Sequence, residues 1–494
     1  MTAASTVPQP PGLGATVASG IRWGMVDAGA QQAMRLVVTV ALTRLLAPEA
    51  FGLLAMALVF TQLASMLGDL GLGPALIQKA DLQRKHVTTA FTVTAIVGVI
   101  LAALFAGLSF PVAAFYEHEE VQPVLAALAV TYLLRGFVGV PRDLLRRAMD
   151  FKGLALVSLT AVASGGVVGI VMAVSGAGVW ALVGQVLVEG VVSTLGVLLA
   201  ARRNPMSRPA FGFDSDALRD LAHFGIFVTG TRLAYYATTN ADNLVVGKVL
   251  GAASLGLYNL AYRLMLLPIL KVADVVATVS MPAMATIQND TPRLRQAVQR
   301  AIGHIGLVCF PVSVGFAVVA PALVPAVFGD RWLGAVVCVQ ILALNGVRLA
   351  IGRMNGTVYE ATGRPAWDLG VLSFSLIVYV LAFLTGVKWG IEGVAWAYTL
   401  AGYALLPLDQ YLVGRALGAS TFTTLRRLLP VMGATLVMAV CGWVIMELTA
   451  DALGNVSRTL LVVGVSALTY LAALRMLAPQ ALSSLQRDLL RRSG

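Results

Sequence analysis

Apolar runs of about 20 residues, the length that crosses a hydrocarbon core, follow one another along this chain with only short polar interruptions. Fourteen stand out, at 23–46, 51–73, 87–115, 121–140, 153–175, 178–200, 222–246, 250–283, 301–326, 333–352, 369–387, 393–413, 430–449 and 459–475. They predict an all-α integral membrane protein, because backbone in lipid must satisfy its own hydrogen bonds and a helix does so within one segment. The run at 250–283 is overlong, and Pro268 inside it predicts a tilt or kink.

Composition agrees with the pattern. The 494 residues are 58% hydrophobic and 12% charged, with a mean hydropathy of +0.83, whereas a soluble domain carries about 25% charged residues. The 49 glycines favour close helix packing in lipid, where area burial no longer drives association. The net charge of +11 fits either a nucleic-acid surface or a basic bias of cytoplasmic loops. Its scatter selects the second and excludes a nucleic-acid partner. Twenty-four Lys and Arg fall on the side of both termini, five on the other side and six inside the runs. The positive-inside rule makes both termini cytoplasmic. MTAASTVPQPPGLGATVASG, with no basic n-region or apolar h-region, reads as a cytoplasmic tail rather than a signal peptide.

The expected organisation is a disordered tail (1–20), six spans (21–200), a cytoplasmic linker (201–221), six more spans (222–413), two C-terminal spans (414–475) and a cytoplasmic tail (476–494). In the linker, Asp214-Ser215-Asp216 resembles a sugar-nucleotide DxD. The reading preferred is that Asp or Ser caps a short amphipathic helix, ALRDLAHF. Cys309, Cys338 and Cys441 lie in apolar runs at no metal or disulfide spacing and read as packing residues. No GxxxxGK[ST], HExxH or GxSxG occurs, the four histidines form no ligand motif, and EHEE at 117–120 reads as a solvated loop. No catalytic residue, metal site or cofactor is therefore assigned.

A shift of 204 residues lays RLLAPEAFGLLAMALVF (44–60) over KVLGAASLGLYNLAYRL (248–264). Leu46/Leu250, Gly52/Gly256, Leu53/Leu257 and Ala57/Ala261 are identical. Both segments open an even-numbered span, so the chain reads as two six-span halves of parallel topology with a transport site between them.

Ionisable groups inside spans are costly, roughly 2.5–3.5 kcal/mol each on an insertion scale, and usually line a cavity. Asp27, Gln31 and Arg35 recur at i, i+4 and i+8 on the first span. Arg232, Tyr236, Asn240 and Asn243 share a face of the seventh, where Asp242 also lies. Asn259, Arg263 and Asp274 share a face of the eighth, with Lys271 beside them; Asn345, Arg348 and Asn355 line up on the tenth. Asp69 ends the second span. Structural pairing accounts for any one of these groups alone. Together, six bases against four acids suit an anionic headgroup, because guanidinium grips phosphate oxygens bidentately.

FGLLAMALVFTQLASMLGDLGLGPALIQK (51–79), NADNLVVGKVLGAASLGLYNLAYRL (240–264) and the following LPI resemble the Wzx-type oligosaccharide-lipid flippases of polysaccharide biosynthesis. The nearest likeness is to the branch related to colanic and teichuronic acid export. The resemblance implies two six-helix lobes in a V plus two further helices, in a bacterial cytoplasmic membrane. It implies alternating access that carries a polyprenyl-diphosphate-linked glycan from the cytoplasmic to the outer leaflet. It also implies that arginines of the first and eighth spans, here Arg35 and Arg263, face the central cavity.

The expectation is a monomeric flippase rather than an enzyme. Arg35, Arg232, Arg263, Lys271 and Arg348 would hold the diphosphate. Asp69, Asp242 and the polar groups named above would line the cavity or couple to a proton or sodium ion. A polysaccharide polymerase or chain-length machinery is the expected protein partner. An organic-cation antiporter of the same fold would carry surplus carboxylates. A membrane glycosyltransferase or polymerase would need a soluble domain that the short loops do not provide.

Overall fold

The computed structural model describes residues 13–68, 72–79, 81–203, 208–222, 225–273, 276, 284, 286–287, 290–418 and 421–479. Every regular element among them is helical. The chain divides into two compact units, Met1–Leu233 and Ala234–Gly494.

The first unit holds α1 (Leu13–Leu45), α2 (Pro48–Gly68), α3 (Leu72–Gln78), α4 (Arg84–Tyr116), α5 (Val121–Arg147), α6 (Phe151–Val174), α7 (Val179–Ala201) and α8 (Ser215–Ala222). Local chemistry sets several boundaries. Asp150 opens α6 by accepting the Gly153 N–H at 3.0 Å. Arg147 closes α3 from α5, donating to the carbonyls of Leu76, Ile77 and Lys79 at 2.6, 2.9 and 2.7 Å. Leu72, Leu76, Phe91, Val140 and Leu144 bury the contact of α3 with α4 and α5. α6 and α7 meet through glycine: a Cβ on Gly165 would lie 2.7 Å from the Gln185 carbonyl oxygen.

The linker helix forms as expected. Asp214 caps α8 by accepting the Ala217 N–H at 2.8 Å, while its own N–H donates to Thr89 at 2.9 Å. Gly212 N–H donates to Thr92 at 2.9 Å, and Lys79 pairs with Asp220 at 3.1 Å. α5 departs from expectation. It runs through Pro141 to Arg147 instead of stopping at 140, because a spanning helix tolerates proline where neighbours take up the freed carbonyl.

α9 (Gly225–Pro268) is broken at Gly251, whose φ of 80° and ψ of −179° lie where only glycine sits without strain. At Pro268 the predicted interruption appears as a change of helix type, a π-helical turn over Ile269–Ala273. The second unit continues with α10 (Thr291–Phe328), α11 (Val336–Gly352), α12 (Asn355–Ala361), α13 (Pro365–Gly386), α14 (Gly390–Ala416), α15 (Thr421–Leu448) and α16 (Asn455–Leu477). Asp290 caps α10 by accepting the Arg293 N–H at 3.1 Å. Phe310, Met354, Tyr359, Leu428 and Leu474 belong to one buried core that joins α10, α11, α12, α15 and α16.

The internal repeat is visible in the helices. Adding 204 to Ala47, the second of two non-helical residues between α1 and α2, gives Gly251, where α9 breaks. The pairings α4–α5, α5–α7 and α6–α7 of the first unit recur as α10–α11, α11–α14 and α13–α14 in the second. Ten helical stretches of described residues are long and apolar enough to cross a membrane, and one of them, Ala366–Ala416, contains both α13 and α14. The all-α, multispanning reading holds.

Candidate functional site

The first unit contains a cavity of about 440 Å³ whose lining includes Gln31, Arg35, Arg135, Arg142, Glu189 and Ser193. Arg135 and Arg142 are seven residues apart on α5, two turns on one face. Glu189 and Ser193 stand four apart on α7. Arg35 reaches both oxygens of Glu189: Nη1 donates to Oε2 at 3.1 Å, and Nη2 donates to Oε1. Arg142 Nη2 donates to Ser193 Oγ at 2.5 Å, and Gln31 Nε2 donates to Asp27 at 2.7 Å. Among the described residues Arg135 has no ion-pair partner. Among the described residues, three guanidiniums against one carboxylate leave the cavity lining at +2. Such a lining suits an anion with two separate charges and repels cations.

The second unit handles charge differently. Asp242 is buried and accepts the Tyr258 hydroxyl at 2.9 Å and the Asn243 N–H at 2.8 Å. Tyr258, Tyr262, Tyr398 and Tyr379 follow one another at centroid spacings of 6.2, 5.9 and 5.2 Å. Arg348 lies 5.8 Å from the Tyr398 ring and donates to Asn345 at 2.6 Å. It also lies against Gly402, where a Cβ would stand 2.5 Å from its Nε. Toward the other end of α14, Asp409 accepts Asn355 Nδ2 at 2.6 Å and the Tyr359 hydroxyl at 2.8 Å. Gln410 donates to Asn355 at 3.3 Å and completes the network.

Of the residues singled out in the sequence, Gln31 and Arg35 meet in the first-unit cavity, with Asp27 bonded to Gln31. Arg35 is neutralised by Glu189 and not by Asp27. Asn240 and Asn243 join at 3.4 Å, and Asn240 also donates to the Tyr236 carbonyl at 3.0 Å. Asn345 and Arg348 meet as their stripe predicts. Asn259 is half-buried on α9, and Arg263 is exposed with no ion-pair partner among the described residues. Asp69 and Asp274 fall outside the described residues, as do the side chains of Arg232 and Lys271.

Sequence reasoning missed Glu189, Asp409 and the tyrosines that hold the carboxylates. It counted Arg142 with a cytoplasmic loop and left Arg135 out of the site. The seven-residue spacing of those two arginines was the available signal.

Two units with matching helix pairings and ionised side chains inside membrane-crossing helices make this a multi-pass membrane protein with a transporter fold. The lipid II flippase MurJ, in an inward closed conformation, matches with a TM-score of 0.73 at 14% identity, over 95% of this chain and all of that one (100%). An inward-facing multidrug resistance MATE family transporter matches with a TM-score of 0.63 at 17% identity, over 79% of this chain and 96% of that one. Within that fold, the chain belongs to the polysaccharide biosynthesis protein family, whose model matches residues 41–337.

Relatives agree. Teichuronic acid biosynthesis protein TuaB of Bacillus subtilis (strain 168) is 31% identical over 361 residues, 72% of each chain. Lipopolysaccharide biosynthesis protein WzxC of Escherichia coli (strain K12) is 26% identical over 373 residues, 74% of each.

Proposed function

We propose that the chain is a flippase that carries polyprenyl-diphosphate-linked oligosaccharide from the cytoplasmic to the outer leaflet by alternating access, for assembly of a surface polysaccharide. The observation that carries this reading is the first-unit cavity with three arginines around one glutamate. A diphosphate esterified at both ends bears one negative charge on each phosphate. A lining of +2 offsets both, and guanidinium forks match phosphate oxygens. The family and the names of its members supply the substrate class: teichuronic acid and lipopolysaccharide are both surface glycans. Organic cations are a poor fit to the same lining, and buried Asp242 and half-buried Asp409 of the second unit are engaged by hydroxyl and amide donors.

The chain's own residues supply binding and release. Arg135 and Arg142 are placed to take the phosphates, Ser193 orients Arg142, and the glycan and lipid tail stay outside the charged cavity. The test is complementation of a bacterium that lacks its own exporter and accumulates the lipid-linked precursor. The unaltered chain restores surface polysaccharide, and Arg142→Gln lowers it at least tenfold at equal membrane abundance. Full export by Arg142→Gln would overturn the reading.

A further inference from the structure

The cavity contains one feature that a pure anion receptor does not need. Glu189 binds Arg35 through both carboxylate oxygens, the fork-to-fork geometry that a phosphate would otherwise take from that guanidinium. The two partners differ in freedom. Glu189 sits on α7 where the helix is pressed against α6: a Cβ on Gly165 would lie 3.0 Å from Glu189 Cβ and 3.3 Å from its backbone nitrogen. Arg35 reaches into the cavity on a long side chain that is 44% exposed, against 24% for Glu189. In an exchange of partners, the arginine is the part that moves.

Charge sharpens the point. With Glu189 the empty lining is +2, and a diphosphate diester brings it to zero; without Glu189 the same states are +3 and +1. A cavity that only captures its ligand gains from the missing carboxylate. One that must also let go is better served by a loaded state without net charge, because surplus positive charge around a bound anion slows its departure.

We propose that Glu189 is a resident counter-anion: it holds Arg35 while the cavity is empty, cedes that guanidinium to a phosphate on loading, and reclaims it on release. The inference rests on the reading of the substrate as a diphosphate. No bond is made or broken, and no proton need move.

The experiment is a double-mutant cycle on the full chain in detergent, with undecaprenyl-diphosphate-linked N-acetylglucosamine, a diphosphate esterified at both ends, as probe and native mass spectrometry as readout. Glu189→Gln, which keeps the shape and removes the charge, binds the probe about tenfold more tightly, equivalent to about 1.4 kcal/mol. In an Arg35→Gln background the tightening disappears, because Glu189 acts through Arg35. In the complementation assay Glu189→Gln exports less despite binding better. Should that variant fail to fold, Glu189→Asp withdraws the carboxylate by one methylene and tightens binding by a smaller factor.

Equal tightening in both backgrounds would make Glu189 a source of background potential and overturn the hand-over. So would unchanged or weaker binding by Glu189→Gln. If the unaltered chain binds no undecaprenyl-diphosphate-linked N-acetylglucosamine, the flippase reading falls and the counter-anion falls with it. If it binds, Arg142→Gln abolishes binding and Glu189→Gln has no effect, the flippase reading stands and the counter-anion alone is lost.

Discussion

The two units contain the same kinds of charged residue and use them in opposite ways. In the first, guanidiniums outnumber carboxylates around a cavity, and Arg135 has no ion-pair partner among the described residues. In the second, the carboxylates of Asp242 and Asp409 are met by tyrosine and asparagine, and Arg348 is spread over an aromatic ring. An ion ringed by neutral donors is satisfied and holds its neighbours in place. An ion left in surplus is available to a ligand. Helix pairing repeats between the units, but this division of labour does not.

The comparison breaks if substitutions in the two units have the same consequence. The largest effect is expected from Arg135→Gln combined with Arg142→Gln. Export should fall by at least about 100-fold, from two lost charge-assisted contacts of about 1.5–3 kcal/mol each. The thermal unfolding midpoint of the purified protein should barely move. Asp409→Ala should do the reverse, removing the carboxylate that Asn355 and Tyr359 share and leaving Tyr359 only the backbone carbonyl of residue 409 at 3.3 Å, at a cost of about 1–3 kcal/mol. It should show as a lower midpoint, with export reduced only as far as protein level falls. Tyr258→Phe removes one donor from Asp242 and should cost about 1–2 kcal/mol by the same measurement. A collapse of export at normal stability in either second-unit variant would erase the contrast.

The smallest effect lies at Asp220, outside the candidate membrane spans, and provides a control. The Asp220 carboxyl is held below its ordinary range, chiefly by the hydrogen bond and charge of Lys79, with His86 adding to it. A carboxyl depressed by folding stabilises the fold above its unfolded pKa, and that contribution is lost as pH falls through the folded value. The contact of α8 with α3 and α4 should therefore loosen only in acid, below the usual carboxylate range. Hydrogen exchange over 211–222 should rise there, and Asp220→Asn should show the same rise already at neutral pH.

Much of the fold was legible because lipid permits few solutions. Each predicted run falls on helix over all but a few of its described residues, since hydrocarbon demands contiguous apolar sequence and internal hydrogen bonding together. The apolar run that ends at 140 stops short of its helix, which continues through Pro141 to Arg147. A proline that ends a soluble helix does not end a spanning one, and moving Arg142 into the cavity still leaves 23 basic residues against five. The stripes on α1 and α11 located Arg35 and Arg348, because i, i+4 spacing is a property of one helix. Their partners were hidden: Glu189 is 154 residues from Arg35, and Asp409 is 54 from Asn355. No period within a helix records which distant helix will lie alongside. Only packing does, at contacts such as Gly165 against α7.

The turn after Pro268 has a bearing on how motion in α9 can be followed. The carbonyl of Pro268 accepts from the thiol of Cys309 on α10 at 3.5 Å, and that sulfur is buried. Straightening or unwinding of the π-helical turn withdraws that carbonyl from the sulfur and opens its cover on the α9 side. The rate at which a small maleimide modifies Cys309 thus becomes a native clock for that joint, ticking only when the joint opens.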